Sequence, residues 1–344
     1  MRVDQQEYPK VSELILAMEM RESEGGMSAL ELRVSNFASD TAGGGDFAFE
    51  DDRILKLGAE IAVYGGEQNT PVEIFRGKIT GLESDFPENG PPEIVVLAED
   101  AFQRSRMTRR TKVWDNVSIF DVASEVASQA SLKPKITGLT EKLGVQVQLN
   151  ESDLAFLRRL LARYDADMQV VATEMHVSPH KDVLRGTIDL ELGSQLRKAR
   201  ALADLSHQVT EVTTAGWDPV QGKPVSGKSS GANPGPGSGV TGSSALQTAL
   251  GSRSEHTGAL AVSTSGEAKA LADAIFDRRA RRFVTLTATA EGNPAVRVGT
   301  QVNITGLGKR FNNSYYVVRA CHRFDLAHGY ETDFDAECAF MGKQ

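Results

Sequence analysis

The chain has 344 residues, enough for about two domains of ordinary size, each with its own core. Hydrophobic residues at 40% and charged residues at 24% give a globular composition, and a net charge of -8 excludes a broad nucleic-acid-binding face, which needs a basic surface to displace counterions. Two cysteines, Cys321 and Cys338, exclude a disulfide framework and fit assembly in a reducing cytoplasm. Residues 1–20 offer no apolar run suited to a secretory signal, and no stretch approaches the ~20 apolar residues of a membrane helix, so no membrane insertion is expected.

The first hundred residues read as β. Val11 to Met20 and Ala29 to Val34 flank Glu24-Gly25-Gly26, a hairpin signal in which glycine supplies positive φ. Strands follow at Lys56 to Tyr64, Val72 to Ile79 and Glu93 to Leu97, separated by Gly, Pro and Asn turns, which predicts a small antiparallel barrel or sandwich.

After Trp114 the character changes. Ser118 with Asp121 predicts a capped helix carrying Ile119, Val122, Ala123 and Val126 at helical spacing. Val145, Val147 and Leu149 alternate like a half-buried strand. A second helix opens at Asn150, with Leu154, Leu157, Leu160, Leu161 and Tyr164 as its apolar stripe. Thr187 to Leu192 and Val209 to Trp217 read as strands. From Pro219 to about Gly258 glycine, serine and proline dominate, and the expectation is a long exposed loop or linker. Ser265 then caps a helix through Leu271, Ala274, Ile275 and Arg278, and strands resume at Phe283.

Residues 57–65 resemble residues 298–306. Each copy is followed by a second strand (74–82 and 315–324) and a third (94–97 and 332–340). The pattern predicts a duplicated β domain with an α+β block inserted between the copies.

Several motifs carry possible chemistry. Gly222 to Ser229 satisfies the phosphate-loop expression, and it supports the alternative reading of a phosphate- or nucleotide-binding enzyme using residues 222–229. The flanking Pro219 and Pro234 provide neither the feeding strand nor the opening helix that the chemistry needs. Gly237 to Gly242 matches the dinucleotide pattern but reads as a flexible tract. His176 and His180 have ligand spacing for a helix, yet Pro179 makes the segment extended. His322 and His328 flank a hairpin, and Cys321 and Cys338 read as buried free thiols. The pairs Glu151/Asp153 and Asp165/Asp167 lie at a helix start and in a turn, with no apolar pocket to raise a pKa. No catalytic, cofactor or metal residue is therefore assigned. The cluster Arg104, Arg106, Arg109, Arg110 and Lys112 reads as a solvated face or subunit contact, with a positive channel wall as the sharper alternative.

Three stretches together resemble the phage late control D family and the hub portion of VgrG-type spike proteins. They are Gln148-Leu149-Asn150-Glu151-Ser152-Asp153-Leu154 with its helix, Val212 to Pro219 around Gly216-Trp217-Asp218, and Gly292-Asn293-Pro294 through Phe334. The resemblance implies a baseplate hub of a contractile tail or injection system, a homotrimer whose two tube-forming β-barrel domains per subunit give pseudo-sixfold symmetry. The implied partners are a separate spike chain, an inner tube or tube-initiator protein and other baseplate subunits, with cargo or DNA in the channel. The implied setting is a chain made in the bacterial cytoplasm and built into a phage or tail-like particle. The expected fold class is α+β, mainly β, with two related antiparallel β-barrels and an inserted α+β domain. The expected division is 1–112 for the first barrel, 113–206 for the inserted domain, 207–218 with 283–344 for the second barrel, and 219–282 for a Gly/Ser/Pro-rich loop plus helix. In fused VgrG proteins the hub continues into a further barrel and a β-helical needle. Here the last strand runs to the final residues 340–344, so the spike is expected on another chain.

Overall fold

The period-two alternation of the first hundred residues becomes strands in the computed structural model, which describes residues 1–39, 45–50, 53–67, 69–258 and 262–342. Strand β1 (Ile15–Ser23) points Met18 and Met20 into a core and leaves Glu19 and Arg21 on the other face. Its hairpin partner is β2 (Ala29–Ser35), reached through Gly25 at φ +58, and β3 (Glu60–Gly65), β4 (Val72–Asp85) and β5 (Glu93–Glu99) complete the first group. Residues 11–13, expected as strand, end a short helix, Pro9–Glu13, whose proline stands in its first turn.

The α+β block follows. Strand β6 (Arg109–Trp114) leads to α1 (Ile119–Gln129), held by a complete capping box between Ser118 and Asp121. Strand β7 (Gln146–Ser152) runs into α2 (Asp153–Leu161), capped by Ser152, two residues later than the sequence placed its start. Asn150, at φ +46, still belongs to the strand. Strands β8 (Ala166–Val171) and β9 (Glu174–Pro179) close this block around Leu154, Phe156, Leu157, Leu160 and Met168. Each such fully buried side chain is worth roughly 1.5–3 kcal/mol.

Strands β10 (Thr187–Glu191) and β11 (Leu196–Ala203) come next. The glycine-rich segment is ordered, contrary to the loop expected there. It forms β13 (Lys223–Ser229), α3 (Gly242–Ala249) and β14 (Ser254–Thr257), and the strand expected just before it is β12 (Glu211–Asp218). Helix α4 (Ser265–Arg281) lies over β12 and β13 and is capped by Thr264 with Glu267, one residue before the expected cap. The reason for the order is the covering helix: a strand with little apolar surface of its own is held by its ladder and by α4. Strands β15 (Val284–Glu291), β16 (Gln301–Thr305), β17 (Asn313–Asp325) and β18 (Gly329–Cys338) end the chain; Lys343 and Gln344 of the expected last segment lie outside the described residues.

One large, mainly antiparallel sheet organises these parts. Its strand order runs β11-β15-β18-β17-β1-β2-β5-β4-β3 and then to Arg2–Val3 and Gln6–Glu7, with β16 beside β17 and β10 beside β16. The division by residue number shifts accordingly. Strand β11, expected in the inserted block, is a member of the large sheet, whereas β12, expected in the second barrel, pairs with β13 and β14 in a separate sheet. Among the described residues no ladder closes either unit into a barrel; one isolated bridge joins Leu192 and Leu196.

Candidate assembly surfaces

The duplication holds at the level of hydrogen bonds. Strands β1, β2, β5, β4 and β3 pair in that order, and β11, β15, β18, β17 and β16 do the same. The bulge at Leu16 in β1 recurs at Arg197 in β11, and the bulge at Thr80 in β4 recurs at Val318 in β17. Gly58, at φ +81, donates its N–H to the Ile79 carbonyl at 2.8 Å; Gly299, at φ +87, donates to Val317 at 2.9 Å. Bulges are local irregularities, so their coincidence in two registers is far more specific than a shared meander.

The two units meet where β1 pairs with the second half of β17, from Arg319↔Ser23 to Asp325↔Ala17. Glu22 is buried in this seam. It accepts from Arg297 Nε at 2.9 Å and Nη2 at 2.6 Å, and from the Val298 N–H at 2.6 Å. Burial alone pushes the Glu22 carboxyl up, but the Arg297 charge and these hydrogen bonds outweigh it and hold the group below its ordinary range. Beside it His322 is fully buried, its Nδ1 2.8 Å from the Tyr330 hydroxyl, and burial with the nearby Arg297 charge lowers it to about 4.

A second junction fastens the inserted block. Arg281 grips Asp165 with two bonds of 2.6 and 2.7 Å, and the hairpin residue Gly25 donates to Asp167 at 2.9 Å. His180 Nε2 lies 3.3 Å from Glu24. Asp167 is pushed up to about 6 by burial, with Arg185 at 3.5 Å offsetting only part of it. The sequence had shown no environment able to raise a carboxyl in this turn; tertiary packing supplies one.

The motif residues go to structural tasks. Residues 223–229 of the phosphate-loop match form β13, and Lys228 pairs with Glu211 at 2.5 Å, so its amide groups run along a strand instead of curling around an anion. Gly227 is needed there because a Cβ would stand 2.3 Å from the Ala268 carbonyl carbon. Gly239, in the second glycine motif, packs against the Met341 carbonyl, and Thr241 caps α3, so that tract is not a flexible linker. His176 bonds Glu174 at 3.1 Å on β9, His180 occupies a short 3-10 turn, and His328 is exposed beside Asp325. Both cysteines are free thiols, Cys338 buried and Cys321 half-buried. Glu151 pairs with Arg159 at 3.0 Å, and buried Asp153 with Arg110 at 2.7 Å. The basic cluster is largely consumed in this way: Arg106 reaches Glu99, Lys112 reaches Glu125, and Arg104 bonds Ser131. Among the described residues no group of three or more His, Cys, Asp or Glu is placed to hold a metal ion, and no helix is long and apolar enough to cross a membrane.

Strand β7 is inverted relative to its pattern. Gln148 is fully buried, receiving Trp114 Nε1 at 3.2 Å and donating to Asp153 at 2.9 Å, whereas Val147 and Leu149 are exposed. Residues 36–325 match the family model described as the Alg8 N-terminal domain. The chain belongs to the Alg8 N-terminal domain family. That description names a domain and no activity, and it differs from the late control D and VgrG names reached from sequence. Among curated proteins nothing matches the chain. Among solved structures, the Alg8 N-terminal domain fold seen here is similar to the 43 kDa tail protein of prophage MuSo2 from Shewanella oneidensis, at TM-score 0.70 and 13% identity, covering 94% of this chain and 93% of that one. A tail protein from Neisseria meningitidis MC58 aligns at TM-score 0.65 and 10% identity over 94% and 92%. The E. coli c3393 protein, described as a type VI secretion component similar to the T4 tail proteins gp27 and gp5, aligns at 0.58 and 13% over 96% and 76%. The fold is that of phage-tail and type VI secretion proteins.

Proposed function

We propose that this chain is a structural hub subunit, without catalytic turnover, of a contractile phage tail or tail-like injection system. Three copies form a ring in which the two β units of each chain give six similar docking surfaces toward an inner tube or its initiator. The other side keeps threefold symmetry for a spike carried on a separate chain. The observation that carries this reading is the duplication of the five-strand unit, in the same pairing order and with two bulges at equivalent places. A trimer of single units would offer three contacts to a sixfold tube; a trimer of doubled units offers six while remaining a closed threefold assembly.

Two further features support it. The sheet face away from the cores carries a row of ion pairs, such as Arg319 with Asp335 and Arg323 with Asp333, suited to a channel wall past which cargo or DNA moves without sticking. The inserted α+β block breaks the pseudo-equivalence and presents Val113, Val147 and Leu149 outward, a surface for spike or baseplate subunits. Assembly begins in the bacterial cytoplasm, where the two thiols stay reduced, and ends in the particle.

Native mass spectrometry of the purified chain, alone and with tube and spike proteins, tests the reading. A trimer that binds both is expected. A chain that stays monomeric at tens of micromolar and binds neither overturns it.

A further inference from the structure

Inside one chain the edge strand β1 of the first unit adds itself to the exposed half of β17 in the second, residues 319–325. Among the described residues, the equivalent parts of the other halves have no such strand neighbour. Strand β11, the counterpart of β1, is the end of the sheet and is unpaired on its outer side from Lys198 onward, and β4 beyond Thr80 pairs, among the described strands, with β5 alone. Two open edges therefore lie at far positions in the same sheet, each shaped like one side of a seam already formed in the molecule. Open edges are templates for strand addition.

Side chains along them agree. Phe86 stands six residues past the Thr80 bulge, as Phe324 stands six past the Val318 bulge. Phe324 packs against the first unit's core, whereas Phe86 is 65% exposed. Glu83, Asp85 and Glu88 have no ion-pair partner among the described residues, and neither do Lys198 and Arg200 on β11. One edge is acidic and the other basic, so neither edge can pair with its own kind at low cost, and the contact must be head-to-tail.

We propose that β11 of one copy pairs antiparallel with residues 81–86 of β4 and its extension in the next copy, in the register of the β1–β17 seam. Transferring that register from the bulges places Arg200 opposite Asp85, Leu202 opposite Glu83, Ala203 opposite Leu82 and Ala199 opposite Phe86. Arg200 and Asp85 then repeat, with charges exchanged, the intrachain pairing of Glu19 with Arg323. The buried Glu22 of the inner seam is replaced by Ala203, so the seam between copies is built from apolar contact and surface charge instead of a buried ion pair. This inference rests on the ring reading above and supplies its contact.

Full-length chain carrying Leu202→Cys and Glu83→Cys, in a Cys321→Ser background, is oxidised and run on denaturing gels. Disulfide-linked dimers and trimers are expected, and neither single variant should give them. Separately, Arg200→Asp and Asp85→Arg should each lower the trimer population roughly tenfold, and the double variant should restore it. Both sites are at exposed edges, and circular dichroism checks that each variant is folded. Trimers by native mass with no cross-link, or reversals without effect, overturn the edge pairing and leave the hub reading standing. A chain that never leaves the monomer, even with tube and spike proteins, overturns both.

Discussion

Glu22 is a buried carboxylate, 3% exposed, so its charge depends on Arg297 and the Val298 N–H. Its pKa is held below the unfolded value near 4.5, so its contribution is fully present above that pH and is lost as pH falls through the depressed folded value. Removing the cation alone leaves a buried charge uncompensated, a defect that typically costs about 3–5 kcal/mol. Arg297→Met is expected to lower stability by that order in urea denaturation at pH 7. Adding Glu22→Gln, which keeps an acceptor for Val298 while removing the charge, should return most of the loss. Two losses that simply add would show that the pair does not act as a unit. Alternation puts Glu22 on the buried face of Met18 and Met20. What the sequence does not show is the cation that neutralises it, because Arg297 is distant in the chain and only the fold brings it to Glu22.

At the scale of elements, periodicity served wherever a strand or helix buries its own apolar stripe. The helix through Leu154, Leu157 and Leu160 and the strands around Met20, Val63 and Val96 follow from spacing alone. It failed at β7 and β13 for opposite reasons. In β7 a buried Gln148 is fully hydrogen-bonded, so the polar face turns inward and the valines turn out. In β13 the glycine is selected by the close approach of α4, not by flexibility. These facts separate two adjacent residues of the phosphate-loop match. Gly227→Ala inserts a methyl group into the Ala268 backbone and is expected to cost about 1–3 kcal/mol of stability. Lys228→Ala removes an exposed ion pair and should change stability by less than about 1 kcal/mol. Thermal or urea unfolding of the two variants measures the contrast, and ATP binding assayed alongside should be absent in both and in the wild type. Nucleotide binding lost only in Lys228→Ala would restore the enzyme reading.

For the molecule as a whole, the repeat was visible in the strands 57–65 and 298–306, but its boundaries were not. The second copy takes its first strand, β11, from well before the glycine-rich segment, and a sequence pattern cannot show that residues 204–283 interrupt the unit between β11 and β15. The junctions that hold this interrupted architecture together contain buried titratable groups of opposite sign, and these shape its stability between pH 4 and 7. Burial raises Asp100 and Asp167 to about 6, above their unfolded value of 3.8. Between those pH values the folded state holds more protons, so their contribution is full below about pH 4 and is lost as pH rises through 6. His322 runs the other way: burial and Arg297 lower it from 6.5 to about 4, so its contribution is full above pH 6.5 and is lost as pH falls toward 4. Asp167→Asn is therefore expected to gain relative to the wild type by on the order of 2–3 kcal/mol between pH 4 and pH 7. His322→Gln should gain relative to the wild type by a similar amount in the opposite direction, from pH 7 down to pH 4. Urea denaturation at pH 4, 5.5 and 7 measures both differences. The two difference curves must cross in sign of slope; parallel curves for wild type and either variant would mean that the group titrates alike in the folded and unfolded chain, and that the junction does not bury it.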